Sequence, residues 1–157
     1  MKILMISVGA MREKPLKELA EKYMERIPHY MPFEACVIPD SPSSKNATAD
    51  SRKAKEGDAI LGKISPSDFV VLFDERGKEM TSREFSVFID RKASTLSRNL
   101  VFVIGGPYGF AQAVYDRADM SLCLSKMTFT HETARMIALE QIYRAMTILK
   151  GEPYHHD

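Results

Sequence analysis

The residues of this chain that can do chemistry crowd into its last third, at three successive bends. Val101 to Ile104 is a short apolar β-branched run that breaks at Gly105-Gly106-Pro107-Tyr108-Gly109. Glycines at the carboxyl end of a buried strand can take positive φ and bare their N–H groups, so a ligand can approach the main chain closely there. A plain strand-to-helix turn reads the same way. A second apolar run, Leu122-Cys123-Leu124, stops at Ser125-Lys126-Met127-Thr128-Phe129-Thr130-His131, which supplies hydroxyls, a cation, an aromatic ring and an imidazole. In open α/β sheets ligands sit outside the carboxyl ends of strands, so two adjacent bends of this kind would wall one pocket. The third bend is the terminal Gly151-Glu152-Pro153-Tyr154-His155-His156, a tail with an aromatic ring and two histidines.

Several ligand classes do not fit. A dinucleotide site needs G-x-G-x-x-G and an acid about twenty residues further on for the ribose. Here the glycines read G-G-x-x-G, and the corresponding positions, Ser125 to Thr130, hold no acid. The chain has no G-x-x-x-x-G-K-[ST] phosphate loop, no close Cys/His spacing for zinc and no G-x-S-x-G nucleophile elbow. These residues point away from NAD, ATP and a catalytic metal.

The elements that must position the bends alternate between strand and helix. Ile3 to Val8, Phe33 to Ile38, Phe69 to Phe73, the run from Val101 and a run near residue 120 read as strands. Pro15 to Arg26 reads as a helix with Leu16, Leu19, Ala20 and Tyr23 on one face, and a polar helix is expected over about Ser51 to Lys63. The third strand, Phe69 to Phe73, ends at Asp74-Glu75-Arg76-Gly77-Lys78. Thr81 and Glu84 have capping-box spacing and open a helix that turns Phe85, Phe88 and Ile89 to the core. A short helix near 111–118 precedes the last strand. Such alternation predicts an α/β fold, with a mainly parallel sheet of about five strands and helices on both faces. Pro39 to Asp50 is a surface loop by composition.

In the final helix Ala134, Ile137, Ala138, Ile142, Ala145, Met146 and Leu149 mark one stripe, and Met136, Leu139 and Tyr143 another. A helix apolar on most of its circumference is buried on most sides, so one side is expected on the sheet and the other on a second copy of the chain. Glu140 and Arg144 stand at i,i+4, either as a surface ion pair or as a pair of site residues beside His131.

At 157 residues, 45% hydrophobic and 27% charged, the chain reads as one soluble domain over 1–157. Lys and Arg number 22 against 21 Asp and Glu, so bulk charge does not announce a nucleic-acid binder. An RNA partner would have to be met by a local patch or by surfaces joined through oligomerisation. Cys36 and Cys123 read as reduced thiols of a cytosolic protein, and no apolar run approaches the roughly eighteen residues of a membrane span.

The order VFVIGGPYG, LSKMTFTH, RMIALEQIYRA and YHH, with the opening KILMISVG and the DERGK segment, resembles the ribosomal RNA large subunit methyltransferase H family over essentially the whole chain. The resemblance implies the SPOUT fold, whose carboxyl-terminal part is tied in a trefoil knot, a rare exception among folds. It also implies a cytoplasmic homodimer that uses S-adenosylmethionine to methylate N3 of a pseudouridine in 23S rRNA on assembled ribosomes, without a metal. Two readings of other classes compete with it. One is a non-catalytic dimeric interaction module with a vestigial pocket, and the other is a flavodoxin-like nucleotide-binding enzyme.

Carried over by resemblance, the cofactor would touch Leu72, Gly105 and the loop Leu124, Ser125, Lys126, Met127, Thr128 and Phe129. Apolar walls from Leu72, Leu124, Met127 and Phe129 would pack on its ring. Methylation of a ring nitrogen needs its proton removed, and His131, His155 and Glu140 are the candidate bases. His131 reads equally as a residue that starts or packs the last helix. Tyr154 and His155 complete the candidate set, and Arg135, Arg144 and Lys126 are candidate partners for phosphate or carboxylate. Thr130 stands where the family usually has proline, and is expected to cap the last helix instead.

Overall fold

A computed structural model describes residues 1–40, 46–95 and 97–156. Of the loop expected over Pro39 to Asp50, residues 41–45 lie outside the described residues, as does Asp157. The elements run β1 (Ile3–Val8), α1 (Lys14–Arg26), β2 (Phe33–Ile38), α2 (Ala49–Leu61), β3 (Phe69–Glu79), α3 (Ser82–Thr95), β4 (Leu100–Ile104), α4 (Gln112–Arg117), β5 (Met120–Cys123) and α5 (His131–Leu149). Single turns of 3-10 helix follow α1 at Ile27–His29 and close the tail at Pro153–His155.

All five strands are parallel, in the order β2-β1-β4-β3-β5. A flavodoxin-like sheet would run 2-1-3-4-5, so the placement of β4 between β1 and β3 removes that reading. Every residue of β1 and β4 is buried, as befits central strands covered on both faces. Successive side chains of a strand point to opposite faces, and this parity divides the core in two. Ile3, Met5, Val71, Phe73, Leu100, Phe102 and Ile104 meet α1, α3 and α5. Leu4, Ile6, Val8, Val70, Leu72, Val101 and Val103 meet Ile60 of α2 and Val114 of α4.

Local signals explain the helix starts. Thr81 Oγ1 accepts from the Glu84 N–H at 3.1 Å while Glu84 Oε2 accepts from the Thr81 N–H at 2.7 Å, a reciprocal capping box. Thr130 Oγ1 accepts from the Thr133 N–H at 3.2 Å and so caps α5. Thr130→Ala is therefore expected to lower stability by about 1 kcal/mol, read as a shifted midpoint in urea denaturation with an unchanged slope.

One expectation about a face is corrected. Leu19 is 36% exposed, because the packed face of α1 is carried by Ala20 and Tyr23. The second stripe of α5 is partly covered within the chain, with Met136 and Tyr143 left half-buried. Leu139 is buried in the core, and the Tyr143 ring packs on Tyr23 and Tyr30 at 5.6 and 6.0 Å, because α5 lies between α1 and α3.

The third strand also departs from expectation. Rather than ending at Phe73 it resumes after an extruded segment, so that both Phe73 and Lys78 lie opposite Leu122 of β5. Gly77 permits the return: a Cβ there would lie 2.6 Å from the Leu122 nitrogen and the Ser121 carbonyl carbon. Only a residue without a side chain crosses the β5 backbone so closely.

Candidate functional site

A cavity of about 350 Å³ opens at the carboxyl ends of β3, β4 and β5. Its apolar walls are Phe73, Ile104, Phe110, Leu124, Met127 and Phe129, and its polar lining includes Asp74, Arg76, Ser125, Thr128 and His131. The glycine bend forms one side. Gly106 accepts from the Gly109 N–H at 3.1 Å, and Gly109 has φ 77°, so this tight turn needs glycine there. The opposite loop is tied locally, with Ser125 Oγ accepting from the Met127 N–H at 3.0 Å. Met127 is 75% exposed and Phe129 37%, which leaves apolar surface at the rim.

The extruded segment of β3 supplies charge. Asp74 accepts from the Tyr115 hydroxyl and, at 2.8 Å, from the Arg76 N–H, while the Arg76 guanidinium donates to the Tyr115 hydroxyl at 3.0 Å. Burial works to raise the Asp74 carboxyl, but these hydrogen bonds and the Arg76 charge outweigh it and hold the group below the usual carboxylate range.

A second polar cluster lies at the far end of α5. Arg144 donates from Nε to Glu140 Oε1 at 3.0 Å, the Tyr154 hydroxyl reaches the same oxygen at 3.1 Å, and the Arg144 Nη1 is 3.3 Å from His155 Nδ1. The guanidinium lies 4.7 Å over the Tyr154 ring. Burial, then the hydrogen bond with Tyr23 and the Glu140 charge, raise the Tyr154 hydroxyl well above its ordinary range and keep it protonated. The hydrogen bond to Glu140 raises Arg144, which stays charged. At about 1.5 Å per residue, Glu140 lies roughly 14 Å along α5 from His131. Within one chain, the tail cluster and the cavity are separate.

The family model described as predicted SPOUT methyltransferase matches residues 1–155. The chain belongs to the SPOUT methyltransferase family. Similar proteins named ribosomal RNA large subunit methyltransferase H occur in Parabacteroides distasonis, 50% identical over 157 residues that cover 100% of both chains. Those of Christiangramia forsetii, 48% identical, and Cytophaga hutchinsonii, 46% identical, each align over 156 residues, 99% of this chain and 99% and 100% of theirs.

A SPOUT methyltransferase ties its carboxyl-terminal part in a trefoil knot, and both bends that wall the cavity belong to that part of the chain. Its activity requires a methyl donor. Of the residues singled out in the sequence, Gly105, Leu124, Ser125, Met127, Thr128, Phe129 and His131 line the cavity together. Lys126 is exposed and outside the lining. Leu72 is fully buried on the other face, under α2 and α4, and the wall assigned to it is formed by its neighbour Phe73. The parity of β3 was the available signal, since Phe73 shares a face with Val71.

Arg135 is also corrected. Its side chain is buried in this SPOUT methyltransferase, where it donates to the carbonyls of Val8, at 3.0 Å, and Gly9, so it straps α5 to the end of β1 and is closed to a phosphate. Asp74, Arg76 and Phe110 were not singled out, because the extrusion that turns the first two to the cavity arises from pairing with β5. Among the described residues no group of three or more His, Cys, Asp or Glu could hold a metal ion, and no helix is long and apolar enough to cross a membrane.

Proposed function

We propose that this chain, acting as one domain, is an S-adenosylmethionine-dependent methyltransferase of large-subunit rRNA. In this reading it modifies N3 of a pseudouridine in 23S rRNA on assembled ribosomes, as a cytoplasmic homodimer. The observation that carries the proposal is the cavity walled by two adjacent strand-end bends in a SPOUT methyltransferase. The named relatives, identical at about half of all positions over their full length, supply the substrate class.

The lining suits the cofactor. Phe73, Leu124, Met127 and Phe129 offer apolar surface to an adenine ring, and the Gly105 and Leu124–Phe129 main chain offers polar groups to its edge and to the methionine portion. A Cβ at Gly105 would lie 3.1 Å from the Phe110 ring, so glycine keeps that wall in place. When bound, S-adenosylmethionine supplies a methyl group already activated on a sulfonium.

The chain's own residues must bind the nucleotide, remove the N3 proton and exclude water. His131 is the base we assign. It lines the cavity, and the capping role that competed for it is filled by Thr130. Glu140 is engaged by Arg144 and Tyr154, so it organises those two side chains. Because the tail cluster is remote from the cavity of its own chain, we assign Arg144, Tyr154 and His155 to the cavity of a partner copy, where they orient the target base. Apolar surface exposed at Met127 and Phe129 supports a partner at that rim.

Incubating the protein with labelled S-adenosylmethionine and ribosomes lacking the modification should transfer label to one 23S nucleotide, with free 23S rRNA a poor substrate. Absence of transfer to either would defeat the assignment. By calorimetry, S-adenosylmethionine should bind in the micromolar range, roughly −8 kcal/mol, with NAD and FMN undetectable. Gly105→Val should abolish that binding by driving Phe110 into the cavity, and unchanged affinity would remove the glycine bend from the site. His131→Gln should lower kcat by about a hundredfold or more with cofactor affinity little altered, whereas an unaffected rate would withdraw its role.

A further inference from the structure

Glu56 of α2 carries a buried carboxyl oxygen, Oε2, with no partner among the described residues. The residue is 6% exposed. Glutamates are seldom buried without a partner, since an unpaired buried polar group costs free energy, so this one needs a reason. Its neighbour is the glycine bend. A Cβ built on Gly106 would lie 3.1 Å from Glu56 Oε2, 3.4 Å from Oε1 and 3.4 Å from Val8 Cγ1. Gly106 lines the cavity and Glu56 does not, so the carboxyl group stands behind the cavity's glycine wall.

Helix α2 also meets this bend at Tyr108 and the chain just beyond it at Ala111. Arg52, one turn before Glu56, donates from Nη1 to the Tyr108 hydroxyl at 3.1 Å, and a Cβ at Gly57 would lie 3.0 Å from that of Ala111. The charged groups facing Glu56 are Asp40, beyond the end of β2, and Arg52. Val8 of β1 and Gly106 of the bend bring none.

We propose that Glu56 is a positioning residue of the methyl-donor site, whose carboxyl group sets the shape of the Gly105–Gly109 bend from the side opposite the bound donor. This rests on the reading of the cavity as the S-adenosylmethionine site. Burial and then the Asp40 charge push the carboxyl up from its ordinary range, against a smaller opposing pull from Arg52, so ionising it costs more here than in water. Ionisation sets a second carboxylate beside Asp40 under the bend and loosens it. Donor affinity should therefore fall as pH rises through the raised value.

Affinity for S-adenosylmethionine, measured by calorimetry on variants whose thermal melts show them folded, tests this. Gly106→Ala directs its methyl group at Glu56, not into the cavity, and should weaken binding about tenfold. Adding Glu56→Ala removes the group it meets and should restore part of that loss. Glu56→Gln keeps the shape without the titration. Between about pH 5 and about pH 9 it should lose less affinity than wild type, and the difference isolates Glu56 because Asp40, Arg52 and His131 are common to both. If the wild type binds but the Gly106 and Glu56 effects simply add, and Glu56→Gln follows the wild-type pH profile, the inference is overturned while the donor site stands. If the wild type does not bind at all, the donor-site reading fails and this inference with it.

Discussion

Gly77→Ala is expected to destabilise the protein by about 3 kcal/mol or more and to weaken donor binding at the same time. A glycine-to-alanine change at an unstrained loop position stabilises by roughly 0.4–1 kcal/mol through the unfolded chain, so the sign of the effect is decisive. Here the added methyl carbon would lie 2.6 Å from the Leu122 nitrogen and 2.7 Å from its carbonyl carbon, and a paired backbone cannot swing aside as a side chain can. The strand must either abandon the Lys78↔Leu122 and Glu79↔Cys123 pairing or pull the extruded segment out of place. That segment carries Asp74 and Arg76 on the cavity wall, which is why binding should suffer along with stability. Urea denaturation and calorimetry read the two effects. An unchanged midpoint would mean that the close approach to β5 is not maintained in solution.

Restoration of activity in a mixed dimer is the other large effect expected. Gly105→Val should lack a usable donor cavity but keep its tail, and a Tyr154→Phe, His155→Ala double variant should keep its cavity but lack the tail's polar groups. Each homodimer should fall at least about a hundredfold below wild type. If the tail serves the partner's cavity, heterodimers of the two contain one intact cavity facing one intact tail and regain up to about half of wild-type activity per dimer. Point substitutions are preferable to truncation after Gly151. The tail is bound into its own chain, with the Tyr154 ring 4.9 Å from that of Tyr143, its hydroxyl 3.2 Å from that of Tyr23, and Glu152 accepting from Tyr30 at 2.7 Å. Removing it would also unseat the α1–α5 contact. Purified heterodimers that stay inactive would assign the tail to its own chain's chemistry or to packing alone.

The features that the amino-acid sequence determined by itself are those whose physics closes within a few residues. The capping box at Thr81–Glu84 and the Thr130 cap on the Thr133 N–H are local hydrogen bonds, and the buried runs of β1 and β4 declare themselves by composition. Alternation of strand and helix then dictates a parallel sheet with two covered faces, and the glycine and hydroxyl bends at the ends of β4 and β5 mark one side of that sheet as the site. Motif order along the whole chain carried the resemblance to its family.

What the tertiary structure decided depends on partners far apart in the chain. Strand order set β4 between β1 and β3, against the flavodoxin-like alternative. A shift of pairing with β5, some fifty residues away, extended β3 beyond Phe73 and turned Asp74 and Arg76 to the cavity. Arg135 lies on a helix whose pattern leaves it free for RNA, yet it is spent on the carbonyls of Val8 and Gly9. Glu56 reads as one charge among many on a polar helix until the fold sets it behind Gly106. A one-residue change of register reverses which face a side chain meets, and no local rule fixes register between segments that only the completed sheet brings together.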